Sequence, residues 1–224
     1  MKNPVTAADS RTDRAARSWL VIALVSLVAL VLLTVVVMNK VVIPFDQPLL
    51  ALAGTWSGAK AFWDAISTIG NYPMIPIGLG FVVWLYVKKR RREALLVFLL
   101  LAAATAGSEG LKALVARPRP EGGGAGIPGV VYSYPSGHSF EDLMILGMVA
   151  LALWRSAQPR WLQLGFLLLA VIQVVLVCIA RVALNVHYPS DMLAGLLGGA
   201  TILGLYAWWT RRGAWADHPS RWGP

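Results

Sequence analysis

Residues 19–38, WLVIALVSLVALVLLTVVVM, run twenty positions without one charged side chain. A run of that length and polarity spans a bilayer as a helix, and this constraint governs everything else in the chain. Five further apolar stretches follow, at 72–87, 94–111, roughly 136–154, 161–183 and 192–209. The second is short and carries Pro73 and Pro76 near its start. The chain has 224 residues, of which 57% are apolar and 14% charged, with a mean hydropathy of +0.63. No soluble domain of this size hides so much apolar surface, so the solvent is lipid. The expected fold is all-α: a polytopic membrane protein of six transmembrane helices in one domain over residues 18–212. Residues 1–17 and 213–224 are expected as cytoplasmic tails. Arg11, Arg14 and Arg17 precede the first span as they would in a signal peptide, but VVVMNKVV offers no small-residue cleavage site, so the span is read as retained.

Charge gives the orientation. With six spans both termini lie on one side, and fourteen of the twenty Lys and Arg residues join them there: the N-terminal four, KKRRR at 88–92, Arg155 and Arg160, and Arg211, Arg212 and Arg221. By the positive-inside rule that face is cytoplasmic. A net charge of +9 parcelled out between apolar spans speaks for membrane orientation and against nucleic acid as a partner. Lys40, Lys60, Lys112, Arg117, Arg119 and Arg181 remain on the disfavoured face and need another reason to be there. Between the first two spans, residues 45–70 carry Pro48, Trp56, Phe62, Trp63 and Ile66, a pattern that suits an interfacial helical segment at headgroup level. Cys178 is the single cysteine and lies within a span, which excludes a disulfide framework and a thiolate metal cluster.

Three segments on the sparsely charged face hold the chemistry. In LKALVARPRP, residues 111–120, Lys112 closes the third span and Arg119 follows seven positions later, with Pro118 and Pro120 predicting a helix break near Arg117. Lys112 alone reads equally well as a lysine snorkelling to the interface. Arg117, in a second Arg-Pro pair, could assist a second phosphate but is expected to meet lipid headgroups. In YPSGHSFEDL, residues 134–143, Ser136 is a good N-cap, and Ser139 with Asp142 offers a competing capping box. Glu141 and Asp142 are then explained as first-turn acids favoured by the helix dipole. His138 is not explained that way. Ser136, Gly137 and His138 open a helix whose free N–H groups suit a phosphate, and Gly137 allows its close approach. In ARVALNVHYPSD, residues 180–191, Arg181 ends the fifth span and His187 lies in a short connection. Pro189 begins the sixth helix and Asp191 falls in its first turn. An aspartate beside a histidine fixes its tautomer and stabilises its imidazolium form. Two histidines, a carboxylate and several cations on one membrane face make an anion-processing site.

These segments resemble the signature of the type 2 phosphatidic acid phosphatase superfamily of membrane lipid phosphatases. That signature has the parts K-x6-RP, PSGH and SR-x5-H-x3-D. Here they read Lys112 with Arg119 and Pro120, then Pro135-Ser136-Gly137-His138, then Arg181, His187 and Asp191, in the same order and spacing. One departure is Ala180, where the family usually has serine. The resemblance implies a metal-independent phosphatase without a cofactor, acting on a phosphomonoester or pyrophosphate of a membrane lipid in the bilayer. Undecaprenyl pyrophosphate, phosphatidylglycerol phosphate and phosphatidic acid are the substrates it suggests. His187 would attack phosphorus to give a phosphohistidine, Asp191 would orient it, and His138 would protonate the leaving oxygen. Lys112, Arg119, Arg181, Ser136 and Gly137 would bind phosphate, in a site facing out of the cytoplasm. Two other readings compete. Two histidines and a carboxylate also resemble a non-haem iron or zinc set, although the surrounding cations repel a divalent metal. Intramembrane ionisable groups also mark transporters, although here they gather at one face rather than in mid-span.

Overall fold

The computed structural model describes residues 4–70, 72–120 and 132–212. They fold into eight α-helices: α1 Pro4–Met38, α2 Asp46–Gly54, α3 Lys60–Ile69, α4 Met74–Val87, α5 Arg91–Val115, α6 Gly137–Trp154, α7 Arg160–Ala183 and α8 Pro189–Arg212. Lipid supplies no hydrogen bonds to backbone groups, and helices satisfy them internally. The connector between the first two spans is helical, as expected, but is built as two pieces, α2 and α3. The first begins at Asp46, two residues before Pro48. The polar stretch ahead of residue 19 is helical too, back to Pro4.

Five stretches among the described residues are long and apolar enough to cross a membrane: 13–38, 57–87, 91–115, 160–183 and 189–212. The remaining expected span, α6, is not among them. It has 18 residues, and His138, Ser139, Glu141 and Asp142 occupy its first turns. It packs against α4, α7 and α8, with Met144, Ile145 and Met148 buried. The polar groups in its opening turns are therefore enclosed by protein, where a lipid-facing helix would not tolerate them.

α8 is the inner helix of the bundle and packs against α1 along one side and α6 along another. In lipid, helix association relies on close packing of small residues rather than on a hydrophobic drive. Gly204 meets α1 where an added β-carbon would lie 2.9 Å from the Trp19 carbonyl oxygen and from the Ala23 β-carbon. Gly195 lets the start of α6 lie on α8: a β-carbon there would come within 2.1 Å of the Ser139 Oγ and 2.4 Å of the Ser136 carbonyl oxygen. Two hydrogen bonds use that contact. The Ser136 N–H donates to the Asp191 carbonyl at 3.0 Å, and the Ser139 hydroxyl to the Met192 carbonyl at 3.1 Å.

Each end of the bundle is tied by polar groups. Where α5 starts and α6 and α8 end, buried Glu93 accepts from the Tyr206 hydroxyl at 2.7 Å and from Arg155 at 3.1 Å, and pairs with Arg90. At the other end, where α5 and α7 end and α6 and α8 begin, the Thr34 and Tyr134 hydroxyls share a 2.9 Å hydrogen bond that fastens the α5–α6 connection to α1.

Candidate active site

The residues singled out from sequence arrive at that second end from four elements. α5 ends at Val115, with Ala116 in the left-handed region at φ 47°, so the proline-rich stretch leaves the helix there. Lys112 sits in the last turn of α5 and Arg119 beyond it. Arg119 is pinned across the loops: its Nη1 donates to the Val186 carbonyl at 2.6 Å and its Nη2 to the Tyr132 carbonyl at 3.2 Å. Lys112 donates to Glu109 at 2.6 Å and reaches over the start of α6, where a β-carbon on Gly137 would stand 3.7 Å from its Nζ. Arg181, in the last turn of α7, donates to the Ser67 hydroxyl of α3 at 2.8 Å.

His187 lies in the α7–α8 turn and is almost wholly buried. Its Nδ1 stands 2.7 Å from the Ser133 carbonyl oxygen. A carbonyl accepts and cannot donate, so Nδ1 carries the proton and Nε2 keeps its lone pair. Asp191 Oδ2 is 3.6 Å from the same Nδ1, beyond hydrogen-bond range but close enough to act by charge. Burial is the main reason that the His187 imidazole is pushed down to about 4. Arg181 and Arg119 push the same way, and Asp191 opposes them. At neutral pH the ring is therefore uncharged and nucleophilic.

Ser136 is at the N-cap position of α6 in extended conformation, yet its side chain does not cap. Its buried Oγ has no hydrogen-bond partner among the described residues, and the same holds for His138 Nε2, Arg119 Nε and Arg181 Nε. The charges of Arg181, Lys112 and Arg119, and the His187 ring, all bear on His138. A hydroxyl, an imidazole nitrogen and two guanidinium N–H groups, with Lys112 beside a helix N-terminus, suit a tetrahedral oxyanion. Among the described residues no three His, Cys, Asp or Glu side chains converge as metal ligands.

Two expectations are corrected here. With α6 starting at Gly137, Glu141 and Asp142 fall past its first turn, so the helix dipole does not explain them. Nor does a capping box form, because Ser139 bonds to the Ser136 and Met192 carbonyls and both buried Asp142 oxygens lack a partner among the described residues. Arg117 was expected to meet headgroups, and it turns inward instead. Its Nη1 donates to Asp191 Oδ1 at 2.6 Å and to the Ser190 hydroxyl at 2.7 Å, and its Nη2 to Asp46 Oδ2 at 2.8 Å. Its guanidinium lies 4.0 Å from the Tyr188 ring centroid. Asp46 of α2 also accepts the Ser190 N–H at 2.8 Å and the Ser190 hydroxyl at 2.7 Å. Sequence reasoning missed Asp46, Ser67 and Ser133. An acid between two prolines, Pro44 and Pro48, just after the first span was the available signal for Asp46. Ser133 contributes a main-chain oxygen, for which residue type gives no signal.

Residues 93–214 match the family model described as PAP2 superfamily. The fold is similar to the crystal structure of a transmembrane PAP2-type phosphatidylglycerolphosphate phosphatase from Bacillus subtilis, with a TM-score of 0.65 and 21% identity. The match covers 80% of this chain and 92% of that one. An undecaprenyl-diphosphatase from Sulfolobus acidocaldarius is 41% identical over 71 residues, 32% of this chain. The chain spans 30% of the length of that curated relative.

Proposed function

The chain belongs to the PAP2 superfamily, and on that premise we propose that it hydrolyses the phosphomonoester or pyrophosphate of a membrane lipid through a phosphohistidine. The observation that carries the reading is the 2.7 Å contact from His187 Nδ1 to the Ser133 carbonyl, which leaves Nε2 unprotonated among cations. Nε2 attacks phosphorus, forming a P–N bond as the bond to the departing oxygen breaks. His138 gives that oxygen a proton. The negative charge of the bound phosphate favours the protonated ring of His138, which holds the proton until it is needed. His138 then takes a proton from water as the water oxygen attacks phosphorus, the P–N bond breaks, and inorganic phosphate leaves. Lys112, Arg119, Arg181, Ser136 and the Gly137 amide hold the non-bridging oxygens and stabilise the charge spread over them in the transition state. In this scheme the cations supply the charge that a metal would bring, and no metal is used.

The lipid enters from the side. An apolar groove of about 470 Å³ between α4, α5 and α6 is lined by Ile75, Leu79, Phe98, Leu101 and Met144, with Glu141 at the end facing Lys112. A hydrocarbon tail in that groove leaves its phosphate at the α6 N-terminus. The asymmetry of basic residues supports a site outside the cytoplasm, with both termini inside, in the cell membrane. Undecaprenyl pyrophosphate and phosphatidylglycerol phosphate are the leading substrates, in line with the relatives' activities, with phosphatidic acid a third. The test is free phosphate released from each of these lipids by the purified protein, with His187→Ala as the blank. Turnover by that variant removes the nucleophile, and loss of activity to a chelator with recovery on adding metal favours a metalloenzyme. Binding of the lipids without phosphate release favours a transporter or lipid-binding protein.

A further inference from the structure

Arg117 and Asp46 lie outside the signature that carries the phosphatase reading, and their contacts reach it at Asp191. Arg117 is held on four sides: by Asp191 Oδ1 and Ser190 Oγ at Nη1, by Asp46 at Nη2, and by the Tyr188 ring against its face. These partners come from α2, from the turn before α8, and from the first turn of α8. Asp191 in turn accepts the Tyr188 N–H at Oδ2, at 2.9 Å, and holds that oxygen 3.6 Å from His187 Nδ1. Both carboxylates are buried, and Arg117 is 17% exposed, so the pairing occurs away from bulk water. Such a charge-assisted bond is short, directional and little screened by salt.

We propose that Arg117, anchored by Asp46, is a positioning residue that acts on the nucleophile through Asp191. This rests on the phosphatase reading above. The clamp does two things. It fixes the rotamer of Asp191, so that Oδ2 faces the imidazole ring while the Ser133 carbonyl keeps the ring N–H. It also balances the charge of Asp191, which would otherwise raise the proton affinity of the His187 ring. The groups facing His187 are Asp191 from α8, Arg181 from α7, Arg119 from the loop after α5 and His138 from α6. Of these, Asp191 raises the proton affinity of the ring, and Arg117 is what holds that carboxylate in check. The arrangement also couples α2, expected at headgroup level, to the catalytic turn.

The experiment pairs steady-state kinetics with titration of His187. Arg117→Ala is expected to lower kcat about 10-fold, the scale of a displaced reacting group, while KM changes less than about 3-fold. Arg117→Lys keeps the charge but not the two-headed fork and should recover part of the loss. Asp46→Asn should lower kcat several-fold. With ¹⁵N-labelled histidine, assigned by substituting each of the chain's three histidines in turn, His187 in Arg117→Ala should titrate about one pH unit higher than in the wild type. A rise in KM with kcat unchanged would make Arg117 a substrate contact and overturn the proposal. Unchanged kcat in both Arg117→Lys and Asp46→Asn overturns it even if Arg117→Ala does not fold, and so does an unmoved His187 titration. The titration needs no turnover. A wild type that releases no phosphate sinks the phosphatase reading while leaving the clamp itself open to test.

Discussion

At the residue scale, His187 sets the expectations. Replacing it with alanine removes the proposed attacking atom but no span, so phosphate release should fall about 1,000-fold or more with membrane insertion unchanged. Asp191→Asn should cost less than the roughly 10,000-fold loss typical where the acid alone fixes the tautomer, because the Ser133 carbonyl already does so. A loss of about 100-fold is expected, and an unchanged rate would show that the carboxylate takes no part. Stability carries the same signature. Unfolded, the imidazole takes up a proton near 6.5, whereas in the fold it resists until about 4. The contribution of His187 is therefore full above pH 6.5 and is lost as the pH falls from 6.5 to 4. Melting in detergent should show a steeper acid-side decline for the wild type than for His187→Asn.

At the element scale, the crossing of α6 over α8 decides whether the site exists. Gly195→Ala would drive a β-carbon into the Ser139 hydroxyl and the Ser136 carbonyl, and a backbone oxygen cannot rotate away. It should lower the melting temperature, and it should lower the rate of phosphate release by more than about 10-fold, since misplacing a reacting group by an ångström can cost about 100-fold. Gly165→Ala on α7 meets nothing within 4 Å and should leave both unchanged. Equal behaviour of the two variants would refute the claim that this crossing positions Ser136 and His138. Ala180 is wholly buried in α7 one residue before Arg181, and Ser67 of α3 supplies a hydroxyl bonded to Arg181. A hydroxyl partner for that arginine thus comes from α3 in a chain without the usual serine.

At the scale of the whole molecule, the two polar ends do different work. The Glu93 network locks α5, α6 and α8 together at the end away from the histidines. Removing one partner of a buried ion pair leaves the other desolvated, so Glu93→Ala should destabilise the fold by on the order of 3 kcal/mol. The loss would be read from detergent or urea unfolding, with active-site chemistry in the surviving folded fraction near normal. Orientation has its own test. In a Cys178→Ala background, a membrane-impermeant maleimide applied to intact cells should label Lys40→Cys and spare Lys88→Cys. The reverse pattern would invert the proposed topology and put the site in the cytoplasm.

The sequence by itself determined the solvent and the element type. Twenty uncharged residues in a row admit only a helix in lipid, and prolines 118, 120 and 189 mark where helices end or begin because they lack the N–H that a helix interior needs. It also singled out the side chains proposed to carry chemistry, because two histidines, a carboxylate and several cations gather at one face. Tertiary structure alone decided how those groups are wired. The tautomer of His187 depends on a main-chain oxygen 54 residues earlier, and the partner of Asp191 is an arginine 74 residues away that sequence reading assigned to headgroups. Asp46 joins them from α2, a helix that carries no motif. Residue types state what a side chain can donate or accept, whereas its partner is set by which helices pack, and glycines on α8 set that packing by letting backbones approach.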